Sequence, residues 1–185
     1  MNFFPTLLIL AGAFLAVFAE ATLGAPRHWL GAQIDLLPAL MVYAALSTDM
    51  VTVALLAVLG GIWFDTLSAN PLGLSILALL AVGFPLHQCR ELLLRDLPFA
   101  QFVLGAAASA TAPALTLLLL LSGGAELPVG WGTLWQWLVM AAVGAVATPF
   151  VFALMDECHR ALGYQHEVET SFRPDREIQH GRILK

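Results

Sequence analysis

Six apolar stretches run along the chain, separated by short polar or turn-forming breaks. Reading the runs against their breakers predicts helices over about 3–24, 35–47, 50–65, 71–88, 97–121 and 130–160. The uncharged runs at 3–19, 97–121 and 127–155 reach or approach the ~20 residues that cross ~30 Å of hydrocarbon. The second and third helices are shorter, because Ser47, Thr48 and Asp49 separate them. At ~1.5 Å per residue each of these two covers only ~20 to 24 Å. One long span over 35–65 would instead bury Asp49 at the bilayer centre, at a cost of at least ~2.5 kcal/mol. The pattern therefore predicts a hairpin of two short helices inside an all-α, polytopic membrane bundle of about six transmembrane helices.

Composition agrees with that class. The 185 residues are 59% hydrophobic and 11% charged, against roughly 25% charged in a soluble domain. A soluble core cannot absorb so much apolar surface. Of the 21 charged side chains (8 basic and 13 acidic), residues 156–185 carry 11 and the first 155 carry 10. The chain thus divides into a six-helix transmembrane domain over 1–160 and a polar tail over 161–185, which Gly163 and Pro174 break up and which has too little clustered apolar surface to fold alone.

With six spans both termini share a side. That side receives Arg90, Arg95, Arg160, Arg173, Arg176, Arg182 and Lys185, and the other receives Arg27 alone. The asymmetry predicts cytoplasmic termini. The triplet Ala19-Glu20-Ala21 is shaped like a signal-peptidase site, but no Lys or Arg precedes the apolar run, so a retained first span is expected. The net charge of -5 and the absence of any basic block exclude a nucleic-acid surface. Cys89 and Cys158 fall on the cytoplasmic side, where a structural disulfide is not expected.

Within this apolar chain a few polar residues stand out. Glu20, Asp35 and Asp65 all fall near the extracytoplasmic side, with Arg27 and His28 in the same loop region. They have two readings: interfacial carboxylates, solvated or paired to Arg27, or a vestibule lined by three acids. No close His or Asp spacing suggests a metal. Asp65 sits in "GGIWFDTLSANPLGLS", just before Asn70, a good cap, and Pro71, suited to a first helical position. Its carboxylate is placed to hold the next helix's N-terminal N–H groups, which makes the stretch a carboxylate-anchored re-entrant turn. Small residues recur at helix-contact spacing: Gly105 and Ser109, Ala106 and Ala110, Ala141 and Ala145, Gly144 and Thr148, Ala57 and Gly61. They serve packing within this chain or against a partner's helix. No nucleophile stands near a His and an acid, no phosphate loop opens a helix, and His87 stands alone, so no enzyme is expected.

The segment "IDLLPALMVYAAL", with Asp35 opening the second helix, and "ALLAVLGGIWFDTLSANPLGLSILAL", with Gly61, Asp65, Pro71, Leu72 and Gly73, resembles the MreD family of bacterial rod shape-determining membrane proteins. The resemblance covers roughly residues 34–82; the other spans match in number, length and polarity. It implies a non-enzymatic scaffold of the cell-elongation, peptidoglycan-synthesising complex in the inner membrane. The implied partners are an MreC-like protein, MreB, RodA and penicillin-binding protein 2, and no cofactor is implied. The implied fold is similar to the substrate-binding subunits of energy-coupling-factor vitamin transporters, and such a subunit is the alternative function. The tail is longer than the family's, and the Ser47–Met50 loop is acidic where a basic one is expected.

Overall fold

A computed structural model describes residues 3–22, 34–68, 71–93, 95, 97–124 and 130–163. Among these residues the chain is entirely helical: α1 (Phe3–Thr22), α2 (Leu37–Ser47), α3 (Met50–Leu67), α4 (Leu74–Gln88), α5 (Pro98–Ser122) and α6 (Trp131–Gly163). Four of them, α1, α3, α5 and α6, are long and apolar enough to cross a membrane. The protein is a multi-pass helical membrane bundle.

The helices alternate in direction, which gives the bundle two ends. At the tail end, where α6 stops, the Phe4 ring meets His159 edge-on with centroids 6.3 Å apart. The Thr6 and Thr52 hydroxyls there lie 2.8 Å apart. At the turn end, α1 and α3 stop and α2 and α4 begin.

Helix α2 is the axis of the fold. It packs against all five other helices, and every residue from Leu37 to Leu46 is buried. A helix apolar on all sides buries all sides, and the Tyr43 hydroxyl is the one polar side-chain group this helix carries before Ser47. Its 11 residues rise only ~16 Å, about half the hydrocarbon thickness. In such surroundings each free N–H or C=O at a helix end has to find a protein partner.

The lengths differ from the sequence expectation in one respect. The short helices are the second and fourth, α2 and α4, at 11 and 15 residues. The third runs to 18 residues, because the polar pair Asp65 and Thr66 is accommodated in its last turn: Asp65 points inward, and the Thr66 hydroxyl donates to the Trp63 carbonyl at 2.8 Å.

Glycines and small residues close the helix contacts within the chain. At the α5–α6 crossing Gly105 faces Gly144 and Thr148, and a Cβ on Gly144 would overlap the Ser109 side chain. In α3, a Cβ on Gly61 would stand 2.8 Å from the Ile76 backbone nitrogen of α4. The small-residue spacing at these positions is used internally. Beyond Gly163 the polar tail lies outside the described residues, as do Arg27 and His28.

Candidate functional site

The turn end assembles two carboxylate-held helix N-termini. The first belongs to α4. Asp65, 2% exposed in the last turn of α3, accepts the Gly73 N–H on Oδ2 at 2.7 Å and the Ser75 N–H more weakly at 3.4 Å. Gly73 is the N-cap at φ +97°, a left-handed conformation that glycine adopts without strain. The close approach of α3 and α4 at Gly61 brings the acid within reach. The anchoring role expected of Asp65 is present, but the helix starts later than expected. Leu74, not Pro71, is its first residue; Pro71 and Leu72 form the turn, and the Pro71 carbonyl accepts the Leu74 N–H at 3.4 Å. Asn70, expected to be the cap, lies outside the described residues. Leu72 projects from the turn at 71% exposure and Leu67 at 61%.

The second N-terminus belongs to α2. Glu20, near the end of α1, reaches across the bundle so that its Oε1 accepts the Leu36 N–H at 2.7 Å. Asp35 accepts the Leu37 N–H on Oδ1 at 2.8 Å. The two acids thus take successive N–H groups at the positive end of the central helix. Both are half-buried and each holds a backbone N–H; Arg27, considered above as their partner, lies outside the described residues. Glu20 Oε2 and Asp65 Oδ1 are buried without a hydrogen-bond partner among the described residues.

A cavity of about 230 Å³ joins these N-termini. Asp35 and Ser75 lie on its wall together with Thr116 of α5 and Thr133, Gln136 and Trp137 of α6; the rest of the lining is apolar. The three sequence-flagged acids therefore do not contribute equally: Asp35 lines the cavity, Asp65 stands behind Ser75, and Glu20 holds the adjoining backbone. The α5 and α6 residues are new. Sequence reading missed them because they lie in the two least punctuated runs, where a Gln or Thr every few residues carries no pattern.

The tail end holds the opposite pole of α2. His87 of α4 donates through Nδ1 to the Ala45 carbonyl at 3.0 Å, which fixes that nitrogen as the protonated one. Arg90 donates to the Thr48 carbonyl at 3.2 Å. Carboxylates at the N-terminus and basic groups at the C-terminus match the helix dipole at both ends. Beside them Arg95 pairs with Asp156 at 3.0 Å, the Tyr43 hydroxyl donates to the same carboxylate at 3.3 Å, and Gln101 holds the Arg95 carbonyl at 2.7 Å. Cys89 and Cys158 are both free thiols. Among the described residues no three His, Cys, Asp or Glu side chains gather as a metal site would require.

Comparison with known protein families, with curated proteins and with solved structures finds no match.

Proposed function

We propose that this protein is a non-enzymatic scaffold of the MreD kind in the bacterial inner membrane, with both termini cytoplasmic. It would hold an MreC-like partner, and through it MreB, RodA and penicillin-binding protein 2, in the cell-elongation complex. One observation carries the reading. Gly61, Asp65, Pro71, Leu72 and Gly73, which bear the family resemblance, form one structural unit: a close helix contact, a buried carboxylate on two backbone N–H groups, and a turn that holds Leu72 outward. A turn anchored from within and apolar at its tip suits a fixed contact with another protein.

Depletion in a rod-shaped host is expected to give round or swollen cells; unchanged width and wall-insertion pattern would sink the reading. Leu72→Glu is expected to abolish co-purification of the MreC-like partner while leaving the protein level within twofold of the parent. The transporter-subunit alternative is favoured by the cavity beside Asp35. It predicts instead that the purified chain brings down a transport ATPase module.

A further inference from the structure

The cavity between the α2 and α4 N-termini has a definite shape and a definite charge. Along α5 it extends from Leu120 to Ala112, eight residues, or about 12 Å of helix. Three of its polar residues lie at the turn end, where Asp35 precedes α2, Ser75 is the second residue of α4, and Thr133 lies in the first turn of α6; Thr116 and Gln136 stand further in. Its deep part, between Leu79, Ala112 and Met140, is apolar. At about 230 Å³ it falls somewhat below the ~300 to 1,000 Å³ of sites for drug-sized molecules.

Charge selects among the small amphiphiles that this shape admits. Of the described residues on its wall, Asp35 is the one with an ionisable side chain. The Leu36 and Leu37 N–H groups at the start of α2, which could otherwise receive an anion, are already taken by Glu20 and Asp35. His87, Arg90 and Arg95 are all at the far end of the bundle. An entering carboxylate or phosphate would meet Asp35 with no described cation to offset it. An ammonium would be attracted by Asp35 and could rest against the Trp137 ring, a favourable arrangement for an organic cation.

We propose that this cavity is a binding site for a small amphiphilic amine, with the ammonium at Asp35 and Trp137 and the alkyl part lying inward against Leu79, Ala112 and Met140. The proposal holds for a scaffold and for a transporter subunit alike, since it concerns only what the cavity accepts.

The test uses the full-length chain purified in an uncharged maltoside detergent. Decylammonium and decanoate, both below their micellar concentrations, serve as probes of equal length and opposite charge, and binding is read by isothermal titration calorimetry. Decylammonium is expected to bind at least tenfold more tightly than decanoate. Thr116→Phe, which fills the cavity, should weaken the amine at least tenfold, and Asp35→Asn should reduce the amine's advantage over decanoate to less than threefold. If Asp35→Asn does not fold, Trp137→Leu replaces it, with an expected three- to tenfold loss confined to the amine. Equal affinity for the two probes, tighter binding of decanoate, or affinity unchanged by Thr116→Phe would each overturn the proposal, because the amine would then be partitioning into detergent or binding elsewhere.

Discussion

The two carboxylate-held N-termini at the turn end solve one problem in opposite ways. At α4 a single buried acid, Asp65, reaches back over a turn of eight to ten residues to hold Gly73 and Ser75. At α2 two acids share the work: Glu20 comes from another helix 16 residues away, and Asp35 comes from two residues before the N–H it accepts. The α4 cap is local and depends on one residue, whereas the α2 cap is distributed and faces a cavity. A burden carried by one residue should fail abruptly, and a shared one gradually. The α4 cap thus has the design of a structural anchor, and the α2 cap that of a site with a carboxylate to spare.

The largest effect should come from removing the single acid. Asp65→Ala leaves the Gly73 and Ser75 N–H groups without their acceptor in a buried position. Losing a charge-assisted bond of this kind costs about 2 to 3 kcal/mol. Thermal unfolding in detergent should show the loss. A midpoint within a degree of the parent would mean that the Asp65 bonds contribute nothing and that the turn is held by packing alone.

A smaller effect is expected from the backbone that the acid holds. Gly73→Ala places a Cβ at φ +97°, a conformation that costs an L-residue about 1 to 2 kcal/mol. Among the described residues nothing crowds the site, since apart from the adjoining residues no heavy atom lies within 4 Å of an added Cβ. The penalty should therefore be purely conformational, and Gly73→Asn, which tolerates the left-handed region, should recover part of it. Equal losses for Ala and Asn in the same unfolding assay would point to a steric cause and contradict the geometry.

The same contrast explains what could be read in advance. The α4 cap was legible from the sequence because its parts are close together: an acid, two glycines and a Pro-Leu-Gly turn within 14 residues constrain one another. Its exact start was not, because Asn70 and Pro71 carry the ordinary signals of a helix start, and only the distance to Asp65 favours Gly73 as the cap. The α2 cap was not legible, since nothing local ties Glu20 to Leu36; that contact exists only once α1 and α2 lie side by side. The six-helix pattern was legible to within three residues at each helix end, because each apolar run ends at a polar or turn-forming break. That α2 is the central helix was not, since a short apolar run looks the same whether it is enclosed by protein or by lipid.

The most discriminating test of the comparison has the smallest expected effect. Glu20→Gln and Asp35→Asn each keep a hydrogen-bond acceptor in place of a carboxyl. The parent acids accept the successive Leu36 and Leu37 N–H groups, so when one is replaced the other still holds the start of α2. Each single variant should stay within about 0.5 kcal/mol of the parent. With both replaced no carboxyl is left to hold that N-terminus, so the double variant should be destabilised by about 0.5 to 1 kcal/mol beyond the sum of the singles, a coupling that a double-mutant cycle resolves. Among the described residues Asp65 has no second acid sharing its N–H groups, and Asp65→Asn should cost about 1 kcal/mol by itself. If the Glu20 and Asp35 variants behave as Asp65→Asn does, each costly alone and additive together, the two acids are independent caps and the division into a single anchor and a shared site fails.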